Sequence, residues 1–405
     1  MPQTTARHTQ QMSERSRLSA TGWTTVVLIA FGAIVAQAFG RFTYSALLPA
    51  IRNDLDHSNT VAGFLGTINV TAYLLGTLAV ASLTSRLRLM TVFRSGFAFT
   101  LSGLAGAAFS PNASTLAISL FLMGIGGAMI WIPSPAIAAS AIGPERRGSA
   151  IGLIGAGIGA GIVFSGQTTR ALRNRSGDSA WRDVYRIELL LAVVAVIAII
   201  LFVRHRQDAP VRTKGSSGGL ALLKTMPGWK ALTGAYAAYG FSYLLTLSFL
   251  TSRLEDDAGF TEGRAATMFA LVGIGGIMGG ILLGAAADRI GERRTLTVGF
   301  ALFSLAVAAV MTSNVALVAA GSVLIGMMFS GLASVIAGYV VGHTTAETFG
   351  PIFAATTLAF GLAQLSSPQV GGLVADATGS FTVVFILAIV FSLVGSAAAS
   401  RLPRE

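Results

Sequence analysis

Twelve apolar runs of about 17 to 28 residues divide this chain, and each is long enough to cross a hydrocarbon core of about 30 Å as a helix. They lie near 23–50, 60–83, 91–110, 114–142, 148–167, 187–203, 229–251, 264–287, 295–312, 315–342, 349–374 and 381–399. Backbone groups facing lipid must be satisfied within their own segment, and no alternating strands of barrel type occur, so the spans are expected as helices. The expected fold is therefore an all-α integral membrane protein with twelve transmembrane helices. Composition fits: 53% of the residues are hydrophobic and only 11% are charged. The absence of cysteine removes disulfides, thiol catalysis and cysteine metal sites together. Residues 1–22 are polar and precede a span too long for a signal-peptide core, so they read as a retained tail.

The net charge of +11 raises the question of a nucleic-acid partner, and the placement of the basic residues answers it. With the N-terminus in the cytoplasm, 19 of the 28 Lys and Arg fall on the cytoplasmic side and 8 on the other. The positive-inside rule thus places both termini in the cytoplasm of a multi-pass inner-membrane protein. The basic face is expected to meet anionic lipid headgroups, with no nucleic acid as partner. Arg41 belongs to neither side, because it sits inside the first apolar run. An arginine near a helix centre costs about 2.5–3.5 kcal/mol on insertion scales, so it must face protein or water.

The chain repeats itself. ERRGSAIGLIGAGIGAGIVFSGQ at 145–167 aligns with ETFGPIFAATTLAFGLAQLSSPQ at 347–369, pairing Glu145 with Glu347, Gly148 with Gly350 and Gln167 with Gln369. SRLRL at 85–89 likewise falls opposite DRIGE at 288–292. Two pseudo-symmetric six-helix halves follow: a bundle over 23–203, a basic Gly/Ser-rich cytoplasmic linker over 204–228, a second bundle over 229–400 and a cytoplasmic tail over 401–405. Parallel halves of this kind are a transporter architecture with the ligand near the midplane between them.

GAAADRIGERRTL at 284–296 resembles the loop signature of the major facilitator superfamily, through Gly284, Asp288, Arg289, Gly291, Arg293 and Arg294. The equivalent loop after the second span reads ASLTSRLRLM and has Ser85 where the family carries aspartate. GRFTYSALLP and the overall length are similar to the YbfB/YjiJ-like branch. The resemblance implies a secondary transporter in which the loop after span 8 meets the start of span 5 when the protein opens outward. Asp288 would then face Arg146 or Arg147 and the helix beginning at Gly148, while Arg86 is placed to meet Glu347.

Other patterns carry less. GAGIGA at 155–160 fits a dinucleotide fingerprint but follows no strand, so small residues at a helix crossing explain it better. GSSGG at 215–219 matches a nucleophile elbow but lies in the linker, and no catalytic constellation appears elsewhere, so no enzyme and no cofactor are expected. His8, His57, His205 and His343 have no metal-ligand spacing; His343, at the end of span 10, reads as interfacial or proton-linked.

Coupling is read from the acidic residues. All 17 Asp and Glu fall in loops or at span ends, and span 5 reads GAGIGAGIVFSG without the proline of the family's antiporter signature. A deep carboxylate carrying a proton is therefore not expected. Arg41 lies about 27 Å along the first helix from Trp23, with Gln37, Tyr44 and Ser45 on its face. Span 2 adds Asn69 and Tyr73, and span 7 presents Tyr236, Tyr239 and Tyr243 at similar spacing. A fixed cation among aromatic and amide groups points to a small organic anion moved by alternating access. The competing readings are efflux of amphipathic drugs, favoured by the Phe-rich spans, and a membrane sensor that binds without transport. A monomer in a bacterial cell membrane is expected.

The gate reading makes the first prediction. Asp288→Asn should bias the protein toward inward opening and lower turnover more than binding. Normal turnover with unchanged labelling of engineered outer-side cysteines would overturn it.

Overall fold

The computed structural model describes residues 22–84, 86–142, 146–203, 219–345 and 348–403. The tail over 1–21, the linker stretch 204–218 and Glu347 lie outside the described residues, as does the side chain of Arg147. Twelve long helices account for the described chain: α1 (Gly22–Asp54), α2 (Asn59–Leu83), α3 (Leu89–Ala108), α4 (Ala113–Ile142), α5 (Gly148–Ser176) and α6 (Trp181–Phe202) form the first half. The second half holds α7 (Trp229–Ser252), α8 (Glu262–Ile290), α9 (Glu292–Val310), α10 (Val315–Gly342), α11 (Phe349–Thr378) and α12 (Thr382–Ala399).

Ten of these are long and apolar enough to cross a membrane on their own composition; α3 and α7 are the other two. The reason is visible in α7, whose Tyr, Ser and Thr positions from Ala235 to Ser252 are almost all buried against other helices. A helix shielded by protein can carry polar groups that a lipid-facing one cannot. Caps fix several starts: Ser58 accepts the Val61 N–H at 3.3 Å, Asn112 that of Thr115 at 3.0 Å, and Asn314 that of Ala316 at 3.0 Å.

Several helices run past their apolar cores. The sixth begins at Trp181, where the apolar run begins at 187; the fifth continues to Ser176 and the eleventh to Thr378. Their polar ends pair with protein, so the helix persists where hydropathy stops.

The two halves touch through α5 with α8, α2 with α11, and α1 with α7. Small residues let the backbones meet. A Cβ built on Gly273 would lie 2.5 Å from the Gly159 carbonyl oxygen, and one on Gly63 would lie 2.3 Å from that of Pro368. The GAGIGA stretch is thus a helix crossing, as expected. Toward the face that holds residues 22 and 403, here called the terminal face, contact is lost. Gly148, Gly152 and Gly155 of α5, Gly284 of α8 and Gly350 of α11 would each accept a Cβ with nothing within 4 Å. The halves are tied to one another at the opposite, distal face, while at the terminal face these glycines have open space beside them.

Ion pairs latch the distal face. Arg52 Nη1 of the first half lies 2.6 Å from Asp256 Oδ2 of the second. Arg173 grips Glu255 with two nitrogens, at 2.6 and 3.0 Å, and also reaches Asp178 on its own side. Asp376 accepts the backbone N–H groups of Asn59 at 3.0 Å and Thr60 at 2.7 Å, at the positive start of α2. The Arg173 side chain is only 1% exposed, so removing it strands a nearly buried carboxylate. Breaking such a pair costs about 3–5 kcal/mol. Arg173→Met should therefore open the distal face, read as faster labelling of a cysteine placed at buried Ser252, and Arg173→Met with Glu255→Gln should restore slow labelling. Equal rates in all three proteins would show that the latch does not hold the closure.

Candidate functional site

The site starts from a local irregularity. Residues Ile34–Phe42, IVAQAFGRF, form a π-helical stretch inside α1, where the Thr43 N–H reaches back five residues to the Ala38 carbonyl. A Cβ on Gly40 would come within 3.3 Å of the Val35 carbonyl oxygen, so the absent side chain eases the widened turn. Such π-bulges are frequent at functional positions.

That stretch turns Arg41 to the seam between the halves. Its Nη2 donates to Gln364 Oε1 of α11 at 2.8 Å, and the Gln364 amide nitrogen donates to the Tyr243 hydroxyl of α7. The guanidinium carbon stands 5.0 Å from the centre of the Tyr73 ring and 5.8 Å from that of Phe42. Arg41 Nε is buried without a hydrogen-bond partner, and among the described residues no carboxylate pairs with Arg41. Among the described residues the half-buried cation is met by a neutral amide and two π-faces.

The expected neighbours divide. Tyr73 and Tyr243 stand with Arg41, and Gln37 is buried on the same turn with its Nε2 unpartnered. Tyr236, Tyr239 and Tyr243 form a stacked ladder with Phe360: Tyr239 and Tyr243 centroids are 4.8 Å apart, Tyr236 and Phe360 4.4 Å. The Tyr239 hydroxyl donates to the Phe329 carbonyl. Two candidates are turned elsewhere. The Tyr44 hydroxyl donates to the Ala62 carbonyl at 2.7 Å, and Asn69 Nδ2 donates to the Gly40 and Leu120 carbonyls at 3.1 and 2.8 Å. Both tie α1, α2 and α4 together inside the first half. Gln364 was not foreseen, although a glutamine within an apolar span is a visible signal.

The signature loop is on the terminal face. Gly291 has φ +83°, which requires glycine between α8 and α9. Asp288, Arg289, Arg86 and Arg146 are exposed, and Asp288, Arg86 and Arg146 enter none of the ion pairs among the described residues. Arg293 and Arg294 line a groove of about 830 Å³ with Thr297 and Ser400. His343 stacks on Tyr339 at 4.1 Å and its Nδ1 sits 2.9 Å from the Tyr339 carbonyl. Asp288 and Arg146 are not paired across the gate, and the expected partner of Arg86, Glu347, lies outside the described residues.

One expectation is overturned. A membrane-embedded carboxylate exists: Glu188 lies within α6, fully buried, with its Oε1 at 2.7 Å from both Thr43 Oγ1 and Ser165 Oγ. Its position was hidden because α6 starts six residues before the apolar run. Trp181, Val184, Tyr185 and Glu188 are all buried, at i, i+3, i+4 and i+7, while Asp183 and Arg186 face outward and pair with each other. That periodicity was the available signal.

Comparison with known proteins agrees with this arrangement. Residues 33–400 match the family described as "Uncharacterised MFS-type transporter YbfB". The chain is 25% identical over 354 residues to the "Uncharacterized MFS-type transporter YfhI" of Bacillus subtilis (strain 168), covering 86% of each. It is 27% identical over 284 residues to the MFS transporter cpaT of Aspergillus oryzae, 61% of this chain and 56% of that protein. Of two curated relatives that it matches, the chain spans 20% and 56%. In fold it is similar to a bacterial homologue of the human lysosomal transporter Spinster in an inward-facing, unoccupied conformation, with a TM-score of 0.71, 13% identity, and coverage of 94% and 97%.

The Arg41 geometry makes a prediction of its own. Gln364→Glu puts a carboxylate where the amide oxygen now accepts from Arg41, and Tyr243 can donate to its second oxygen. The present bond already has a charged donor, and the variant adds the counter-ion that a part-buried guanidinium lacks, so the purified variant should melt a few degrees higher. An unchanged or lower melting temperature would mean that Arg41 does not engage this position.

Proposed function

The chain belongs to the major facilitator superfamily, in its YbfB branch, and from that premise we propose that it is a secondary active transporter of a small organic anion. One observation carries the reading: Arg41 stands at the seam of the two halves, and among the described residues no carboxylate pairs with it. A guanidinium offers a planar, two-pronged donor that matches a carboxylate or sulfonate. The neutral amide of Gln364 and the hydroxyl of Tyr243, both from the second half, complete the polar lining. An anion bridging Arg41 to those groups joins the halves, and so its loading is felt by their relative position.

The terminal face is the cytoplasmic one on the charge distribution, which makes the distal-closed arrangement inward-facing. Alternating access then exchanges two sets of contacts. The distal latch of Arg52, Arg173 and Asp376 breaks as Asp288 closes on the start of α5 and Arg86 on the start of α11. This matches a multi-pass protein of a bacterial plasma membrane with both termini inside, working as a monomer. The aromatic ladder of Tyr236, Tyr239, Tyr243 and Phe360 supports a second reading, efflux of amphipathic compounds, which stacking would hold without charge selection.

Binding of carboxylates, sulfonates and cationic drugs to the purified protein separates the two. In the anion reading, Arg41→Lys keeps the charge but loses the fork, weakening affinity roughly 10-fold at about 1.4 kcal/mol per decade, and Arg41→Gln nearly abolishes transport. Unchanged affinity in folded Arg41→Gln would sink it. Saturable binding without uptake into proteoliposomes would mark a sensor instead.

A further inference from the structure

The buried carboxyl of Glu188 has no role in the reading above. Its surroundings hold a proton count. Thr43 Oγ1, Ser165 Oγ and Glu188 Oε1 form a triangle with edges of 2.9, 2.7 and 2.7 Å, and Thr43 Oγ1 also lies 3.2 Å from the Ala38 carbonyl oxygen. The two hydroxyls supply two protons. With an ionised Glu188, both point to the carboxylate and the Thr43–Ser165 and Thr43–Ala38 contacts are left without a hydrogen. With a neutral acid, a directed chain forms in which Glu188 donates to Ser165, Ser165 to Thr43, and Thr43 to the Ala38 carbonyl, so that one contact, Thr43–Glu188, is left without a hydrogen instead of two.

Among the described residues no cation pairs with Glu188. Arg41 of α1 points to Gln364, Arg94 of α3 donates to the Val203 carbonyl, and Arg173 of α5 is held by Glu255 and Asp178. The titratable groups nearby are Tyr185 on α6 itself and, beyond it, Tyr44 of α1, whose hydroxyl donates to Ala62. Glu188 Oε2 is buried with no hydrogen-bond partner. A carboxylate so placed, without a counter-ion and with one bare oxygen, is far more costly than a neutral acid.

We propose that Glu188 is a proton-binding site, neutral while the distal face is closed and ionised after the halves rearrange, with the proton as the coupling ion. The site stands on the Glu188 geometry alone; the coupling role rests on the transporter reading above. On release the Glu188 O–H bond breaks, the proton passes to water admitted beside α6, and the electron pair stays on the carboxylate. Thr43 and Ser165 then turn their hydroxyl protons to that oxygen, and Thr43 lets go of the Ala38 carbonyl. Ala38 and Thr43 flank the π-turn that carries Arg41, so the change reaches the anion site through three residues of backbone. A negative charge formed there also opposes anion binding at Arg41, so proton and anion loading favour one another.

The test needs no substrate. In full-length protein in lipid nanodiscs near neutral pH, infrared spectra should show a protonated carboxylic acid band that is lost in E188Q. A difference spectrum showing only carboxylate bands would overturn the proposal. In parallel, labelling of a cysteine at Ser252 should accelerate as pH rises in otherwise wild-type protein and stay slow and pH-independent in E188Q. A wild-type pH response in E188Q would also overturn it. Because a neutral amide replaces a neutral acid of the same shape, E188Q should fold with a near-normal melting temperature; failure to fold would itself count against a neutral Glu188. Failure of the anion reading would appear only in the Arg41 binding series and leave these signals unchanged.

Discussion

The backbone approach of α5 to α8 at Gly159 and Gly273 is the contact on which the arrangement turns. A Cβ on either residue would collide with the other helix. Lipid supplies no hydrophobic force to press helices together, so their separation is set by what the side chains permit. Glycine on both sides brings the halves to backbone contact on the distal side of the crossing. The same two helices then diverge toward the terminal face, where the glycines of α5 and α8 face empty space. With α2 and α11 meeting in the same way at Gly63, the halves can rock about these crossings while each stays intact.

Polar groups sort by the state they serve. Those of the distal latch run from the part-exposed Arg52–Asp256 pair to the nearly buried Arg173–Glu255 pair, at the face that opening would admit to solvent. Asn69 and Tyr44, by contrast, donate to carbonyls within the first half and hold α1 to its neighbours. These bonds do not cross the seam, so rocking leaves them in place. Arg41 crosses it to Gln364, beside the bond from Thr67 Oγ1 to the Leu365 carbonyl at 3.5 Å, and Thr251 Oγ1 crosses it to the Ser45 carbonyl at 2.9 Å.

The π-stretch of α1 joins half-buried Arg41 to buried Glu188. Arg41 leaves one side of it toward the seam, and Thr43 at its end reaches the other way to Glu188. A wider turn carries a carbonyl that serves two donors of the same residue, the N–H and the hydroxyl of Thr43. It is therefore the place in the half where a change of protonation can most directly shift the helix backbone.

How much was legible in the residues follows from what hydropathy measures. Span number, the twofold repeat and the place of Arg41 inside a span were readable because the cost of exposing polar groups to lipid is paid locally, residue by residue. Family membership was readable from DRIGERR and its glycines, since the turn at Gly291 demands its own residue type. The position of Glu188 was not read, because an apolar-run count stops where polar residues begin, and α6 continues as a helix through Arg182, Asp183 and Arg186. Likewise Gln364 became the partner of Arg41, and Tyr44 and Asn69 turned away from it, through packing between different helices. The sequence by itself determined that these helices span a membrane in two repeated halves; only the tertiary structure decided which polar side chains meet, because hydrogen bonds are directional and depend on how the helices rotate against one another.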